Sequence, residues 1–140
     1  MNEVTVSWAG EGKYTQRVET GRHTFLVDEP PDVGDDRGPN PYELLLAALG
    51  ACTSMTIRMY AEHKKMKLDG VSVRLTYNRD YAKDCEDCEN TKRRVHRIER
   101  EITLTGDLSP DEKERLRQIA ERCAIHRTLV EEKEISTTVV

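Results

Sequence analysis

Aromatic residues are scarce in this 140-residue chain, which has five Tyr, one Trp and one Phe. A large excess of charge is also missing, because 26 acidic and 22 basic side chains leave a formal net charge of −4. Nucleic-acid-binding proteins usually carry a strongly basic surface, so no nucleic-acid partner is expected. The 34% of charged residues indicates one heavily solvated domain over residues 1–140.

Long apolar segments are lacking as well. The longest apolar run, residues 44–52, has nine residues, about half of what a helix needs to cross a bilayer. The first ten residues have neither the basic start nor the apolar run of a signal peptide. We therefore expect a cytoplasmic protein without a membrane partner. Four cysteines in that reducing compartment favour catalysis, metal binding or inert packing over structural disulfides.

Apolar periodicity predicts an α+β domain with the order β-β-β-α-β-β-α-β. The predicted strands lie near residues 4–8, 14–18, 23–27, 71–77, 93–105 and 134–140. Asn40 and Pro41 form a strong helix start, and Glu43 stands at the N3 position of a capping box. A second capping box at Ser109 opens the second helix.

The first predicted helix is apolar on every side over residues 44–52. Such a helix must be buried all round, and a chain of this size has little material to cover it. We therefore expect burial against a second copy of the chain. Cys52 ends the apolar run, where burial would raise the pKa of a thiol. Its activation would have to come from elsewhere in the fold or from a partner subunit.

The second predicted helix carries another cysteine on its apolar side. Leu116, Ile119, Ala120 and Cys123 follow the i, i+3, i+4, i+7 spacing of one helical stripe. Both Cys52 and Cys123 could be small packing residues, as most buried cysteines are. A peroxidatic thiol, however, needs a second thiol within reach, since its sulfenic acid is resolved by disulfide formation. One core-facing cysteine on each helix fits that requirement.

A CxxC motif at Cys85 and Cys88 lies among four acidic residues. Neighbouring negative charge disfavours the thiolate, so neither residue is expected to be the attacking thiol. As a zinc half-site the pair lacks a second CxxC or a close HxxxH, although His63 or His96 could contribute. A surface redox pair and a plain hairpin loop are the other interpretations. No metal site is predicted, and no Gly-rich loop suggests a nucleotide cofactor.

The segment GPNPYELLLAALGACTSM, with RCAIHRTL some 70 residues later, resembles the OsmC/Ohr family of osmotically induced and organic hydroperoxide resistance proteins. The resemblance covers nearly the whole chain. It implies an intertwined homodimer with two central helices packed on antiparallel sheets. It also implies two active sites at the interface, in which Cys52 is the peroxidatic thiol and Cys123 the resolving thiol. Glu43 matches the acid that helps to hold an arginine beside the thiolate.

Two details of the resemblance bear on the site. Glu43 lies nine residues before Cys52, which places the two on opposite faces of an ideal helix. Its role would therefore need a bend or a subunit interface. The family's activating arginine has no clear match, because its loop position reads Asp32, with Arg22 and Arg37 as nearby candidates.

The resemblance implies the reduction of organic hydroperoxides without a metal, flavin or nucleotide cofactor. Its partners would be a small hydroperoxide, an external dithiol reductant and a second copy of the chain. The main alternative is a non-catalytic protein of the same fold. In that protein, Cys52 would line a dimer-interface cavity that binds a small apolar or thiol-reactive ligand.

Overall fold

A computed structural model describes residues 1–81 and 94–140 of the protein. The residues form two compact units, Met1–Leu45 and Leu46–Val140. Cys85 and Cys88 lie outside the described residues, and the interpretations of their CxxC motif remain open. The single domain over residues 1–140 likewise stays a prediction.

The first unit contains a three-stranded antiparallel meander. Its strands are β1 (Thr5–Trp8), β2 (Gln16–Thr20) and β3 (His23–Val27), hydrogen-bonded in that order. The predicted strand at 23–27 is confirmed, and the strand predicted at 14–18 begins two residues later. The alternation of Val4, Val6 and Trp8 is typical of a half-buried strand, but within the described part of the chain all four residues of β1 are exposed. Val6 is 56% and Trp8 59% exposed.

A buried carboxylate orders the loop that follows β3. Asp28 is only 2% exposed. Its Oδ2 accepts hydrogen bonds from the Thr15 hydroxyl at 2.8 Å and the Arg37 backbone amide at 3.3 Å. Its Oδ1 accepts one from the Glu29 amide at 2.8 Å. These bonds hold the loop after β3 against the sheet.

The first helix, α1 (Pro41–His63), begins where the sequence predicts. Asn40 Oδ1 accepts from the Glu43 amide at 2.9 Å, and Glu43 Oε1 accepts from the Asn40 amide at 3.3 Å. This confirms the predicted capping box. At the other end Lys65 adopts φ +56°, and the amide of the next residue bonds to the Ala61 carbonyl at 2.8 Å. That pattern is a Schellman motif, with lysine where glycine is usual.

The second unit packs helices against a long hairpin. Strands β4 (Lys67–Tyr81) and β5 (Arg94–Asp107) pair antiparallel, and α2 (Pro110–Ala120) and α3 (Ala124–Val130) follow. The capping box predicted at Ser109 is confirmed. The centre of the core consists of four side chains, each at most 2% exposed: Ile57, Ala61, Leu116 and Ala120. The predicted α+β class is confirmed.

Gly50 lets α1 approach the hairpin closely. A Cβ at this position would lie 2.8 Å from Leu75 Cδ1, closer than carbon atoms pack. Leu75 is the cross-strand partner of Arg100. The glycine therefore helps to bring α1 beside the middle of β5.

The strand predicted over residues 134–140 is wrong for the described chain. Residues 132–140 have no regular secondary structure, and Ile135 and Val139 are 87% and 92% exposed. An alternating pattern forms a strand only where a neighbour completes its hydrogen bonds, and neither described sheet pairs with this segment. The described order is therefore β-β-β-α-β-β-α-α.

The described residues cover the apolar surface of α1 only in part. By length and composition alone the helix could cross a membrane, a test that core helices of soluble proteins also pass. Met55 and Met59 are 59% and 66% exposed. The residues that the structure describes in one chain therefore do not meet the expectation of burial all round.

Candidate active site

A turn between the last two helices places Cys123. The prediction that Cys123 belongs to the second helix is wrong, because α2 ends at Ala120 and Cys123 is the N-cap of α3, with φ −62° and ψ 142°. Its Sγ accepts a hydrogen bond from the His126 amide at 3.2 Å, as a serine oxygen would at an N-cap. Cys123 is 1% exposed, so its predicted burial is confirmed.

The structure brings the two predicted thiols together. Cys52 is half-buried on α1, and its thiol is within hydrogen-bonding reach of the Cys123 thiol. The backbone amides of Ala124 and Ile125, in the first turn of α3, also act on the pKa of this thiol. The catalytic roles of the two cysteines stay predictions.

Burial and hydrogen bonding act on the pKa of the Cys52 thiol in opposite directions. Burial is the largest single effect and raises the pKa, because it penalises the charged thiolate. Four hydrogen bonds together outweigh it and bring the pKa below its ordinary value; they come from the Ile125 amide, the Cys123 thiol, the Thr56 hydroxyl and the Ala124 amide. Because the thiolate is the nucleophilic form, these bonds favour reactivity.

The Thr56 hydroxyl and the amides at the start of α3 differ as hydrogen-bond donors toward Cys52. The Thr56 hydroxyl has a single proton, and its oxygen also lies 2.7 Å from the Cys52 carbonyl, which competes with the sulfur for that proton. The first amides of a helix, in contrast, have no partner within the helix and point in a fixed direction. In α3, the amides of Ala124 and Ile125 act to lower the pKa of Cys52, and the His126 amide donates to the Cys123 sulfur.

A guanidinium that the sequence motifs did not single out bridges the segments around the thiols. Arg100 Nη1 donates to Thr53 Oγ1 at 2.9 Å and to the Ala120 carbonyl at 3.4 Å. Its Nη2 lies 3.3 Å from His126 Nδ1. Because a guanidinium can only donate, Nδ1 of His126 is the accepting partner in this contact.

The signal that could have found Arg100 is its position in the strand. It alternates with Ile98, Ile102 and Leu104 along one face of β5, so it is an arginine on the face that packs against the helices. A charged side chain on such a face needs buried partners. It lies outside both cysteine motifs, and therefore motif reading missed it.

The other predicted site residues lie in the first unit. Glu43 bonds to the Asn40 amide in the capping box. Arg37 Nη1 forms an ion pair with Glu11 Oε1 at 2.8 Å, and Arg22 is exposed in the turn between β2 and β3. Asp32 is exposed in the loop after β3. A link between Glu43 or either arginine and Cys52 stays a prediction.

Among the described residues, no group of three or more His, Cys, Asp or Glu side chains is arranged to hold a metal ion.

Comparison with known proteins fits the resemblance carried by the cysteine motifs. The sequence pattern of the family described as "OsmC-like protein" matches residues 34–138, a range that contains Cys52 and Cys123. The chain belongs to the OsmC-like family. No curated protein sequence matches it.

Solved structures show the same fold in other members of the family. An OsmC-like protein from Mycoplasma pneumoniae superposes with a TM-score of 0.71 at 20% identity, over 92% of this chain and 86% of that one. An organic hydroperoxide resistance protein OsmC from Legionella pneumophila gives 0.67 at 22% identity, over 93% and 89%. OhrB of Bacillus subtilis gives 0.59 at 17% identity, over 93% and 90%. Identities this low show the fold alone.

Proposed function

We propose that this OsmC-like protein is a thiol-dependent peroxidase that reduces organic hydroperoxides through Cys52 and Cys123. One observation carries the proposal. The Cys52 thiol lies against a second thiol, and the amides at the start of α3 help to lower its pKa in spite of burial. The proteins of similar fold from Legionella pneumophila and Bacillus subtilis, described as organic hydroperoxide resistance proteins, support the same class of activity.

The reaction has two chemical steps in the protein. The Cys52 thiolate attacks the distal oxygen of the hydroperoxide; an S–O bond forms as the O–O bond breaks, and the alkoxide leaves as an alcohol after taking a proton. Cys52 is then a sulfenic acid. The sulfur of Cys123 attacks the Cys52 sulfur, water leaves, and a disulfide forms. An external dithiol restores both thiols by exchange.

The residues near Cys52 favour an organic substrate over hydrogen peroxide. Cys52 stands on a helix whose preceding turns are built of Leu and Ala. Apolar walls gain free energy by burying an alkyl chain. The hydrogen-bond donors at the start of α3 would then act only on the sulfur and the peroxide oxygens.

The proposal includes a cytoplasmic homodimer in which a second copy covers the exposed apolar side chains of α1. Met55 and Met59 are the largest of these in the second unit. Glu43, with Arg22 or Arg37, would act at that interface. Sedimentation of the purified chain should give twice the 16.1 kDa of one copy; a monomer at all concentrations would contradict this part.

The test uses a chain in which Cys85 and Cys88 are both replaced by Ser, so that only two thiols remain. We expect this protein to consume cumene hydroperoxide and to form a Cys52–Cys123 disulfide that mass spectrometry detects. Cys52→Ser should abolish consumption. Cys123→Ser should still react once and leave a sulfenic acid that dimedone traps. Unchanged consumption by the Cys52→Ser variant would refute the mechanism.

A second candidate function is a non-catalytic binding protein in which Cys52 only lines a cavity. The burial of Cys52 favours it, because burial raises the pKa of a thiol and is the largest single effect at this site. The rate of alkylation of Cys52 against pH separates the two functions. An apparent pKa at or above about 8.5, the ordinary value of a free thiol, would support the binding protein.

A further inference from the structure

We propose that Arg100 is a positioning residue that clamps the helix carrying Cys52 to the turn carrying Cys123. The importance of this clamp rests on the proposed function, which makes the two thiols a reactive pair. The existence of the clamp does not depend on the proposed function. It can be tested by measuring the pKa and the disulfide equilibrium of the two thiols without any hydroperoxide.

The clamp joins three segments through one side chain. The guanidinium donates to a hydroxyl on α1 (Thr53), to the last carbonyl of α2 (Ala120) and to a ring nitrogen on α3 (His126). Two of these acceptors belong to residues that are directly connected to a thiol. Thr53 directly follows Cys52, and the backbone amide of His126 bonds to the Cys123 sulfur.

Two of the acceptors form further hydrogen bonds that fix their orientation toward Arg100. The fully buried Thr53 hydroxyl donates its only proton to the Leu49 carbonyl at 2.7 Å, so its oxygen faces Arg100 as an acceptor. The Ala120 carbonyl also accepts from the Cys123 amide at 3.4 Å. Arg100 therefore shares an acceptor with the backbone of the cysteine that it helps to place.

We expect the planar geometry of the guanidinium, more than its positive charge, to hold the three segments in place. The effects that lower the pKa of Cys52 are hydrogen bonds from Cys123, Thr56 and the start of α3, acting against burial. Hydrogen bonds weaken steeply when donor and acceptor move out of line. A planar fork with five fixed donors can hold three acceptors at once, whereas a lysine ammonium acts as a single flexible point charge.

The first test compares Arg100→Met and Arg100→Lys in the full chain with Cys85 and Cys88 replaced by Ser. Two readouts are used: the apparent pKa of Cys52 from alkylation rates, and the dithiol–disulfide equilibrium of Cys52 and Cys123 in glutathione buffers. We expect both variants to raise the apparent pKa and to shift the equilibrium roughly tenfold, the scale of one charge-assisted hydrogen bond. Lysine should fail to rescue either readout.

Two outcomes of this comparison would overturn the proposal. In one, Arg100→Met lowers the free energy of unfolding but leaves both thiol readouts unchanged, so that Arg100 is only a structural cation. In the other, Arg100→Lys matches the parent protein, so that charge and not geometry is what counts. Hydroperoxide consumption is measured separately. A parent protein that fails to consume peroxide while Arg100→Met still shifts the thiol readouts would refute the peroxidase and support the clamp.

A matched pair at Thr53 keeps the test decisive where the Arg100 variants do not fold. Thr53→Ser keeps the hydroxyl that accepts from Arg100, whereas Thr53→Val has nearly the same shape and removes it. We expect the serine variant to behave like the parent protein and the valine variant to move both thiol readouts in the direction of Arg100→Met. Equal thiol readouts in the two Thr53 variants would contradict the clamp.

Discussion

Asp28 in the first unit and Arg100 in the second are charged side chains that tie distant parts of the chain together. Asp28 is 2% exposed, and its described partners are the Thr15 hydroxyl and backbone amides of the loop that follows it. The partners of Arg100 instead come from three helices and flank the two thiols. In the first unit, a charged side chain with several hydrogen-bond partners orders a loop. On our proposal, a charged side chain of the same kind positions the two thiols in the second unit.

The two units also differ in their apolar cores. In the first unit the buried apolar side chains are Val18 and Val27. Among the described residues of the second unit they form a group on α1, α2 and the start of α3: Leu49, Ile57, Ala61, Leu116, Ile119, Ala120 and Cys123. Apolar burial depends little on pH, whereas a buried carboxylate depends on it strongly. The two kinds of support can therefore be told apart by measuring stability.

The largest effect is expected from the core of the second unit. Leu116 is 0% exposed, and Leu116→Ala would leave a cavity among Ile57, Ala61 and Ala120. We expect a loss of about 2–5 kcal/mol in the free energy of unfolding, measured by urea denaturation with helical circular dichroism. Leu116→Met conserves volume and should cost less than about 1.5 kcal/mol. A loss that changes with pH would show that the site is not a simple apolar core.

A smaller effect with a distinct pH signature is expected at Asp28. Burial raises the pKa of Asp28, but hydrogen bonds from the Thr15 hydroxyl and from neighbouring backbone amides outweigh it and lower the pKa below its ordinary value. The ionised carboxylate therefore stabilises the folded state. This contribution is complete above the unfolded value of about 3.9 and is lost as pH falls through the lower folded pKa.

Asp28→Asn should accordingly lower stability at neutral pH and flatten the loss of stability that acid causes below about pH 4. Trp8, the single tryptophan of the chain, lies in the same unit and reports the transition by fluorescence. Asp32→Asn is the matched control, because Asp32 is exposed in the same loop. An equal effect of the two substitutions would mean that burial of Asp28 contributes nothing specific.

Sequence patterns predicted the parts of the fold that local interactions decide. The capping boxes at Asn40 and Ser109 consist of bonds between residues three apart, so their spacing is visible in the sequence. The strand at 23–27 and the start of α1 follow from equally local signals. The family motif added the pairing of Cys52 with Cys123, which stays a prediction; in the structure the Cys123 side chain acts on the pKa of Cys52.

The failures have physical reasons. The helical spacing around Cys123 continues across the turn after Ala120, and cysteine is not among the usual N-cap residues, so the break was invisible. The strand predicted at 134–140 depends on a pairing partner that a local pattern cannot supply. Arg100 bonds to residues 47, 26 and 20 positions away. Such contacts exist only in the folded chain.

The smallest loss of stability is expected at the N-termini of α1 and α2, each of which begins with a capping box. Asn40→Ala and Ser109→Ala should each cost about 1 kcal/mol of unfolding free energy, the usual value of an N-cap. Both are measured by urea denaturation. A loss at Asn40 well above that at Ser109 would mean that the start of α1 has a second function.

Glu43 provides the means to identify that function, because it forms the other half of the capping box at Asn40. If Glu43 only caps the helix, Glu43→Gln and Asn40→Ala should leave hydroperoxide consumption per folded protein unchanged. Their combined cost should also fall short of the sum, since they share one motif. If Glu43 also holds an arginine beside Cys52 across a subunit interface, Glu43→Gln should slow consumption at least roughly tenfold, the scale of one charge-assisted hydrogen bond, while Asn40→Ala does not. Equal slowing by both would place the effect in the helix start and not in the carboxylate.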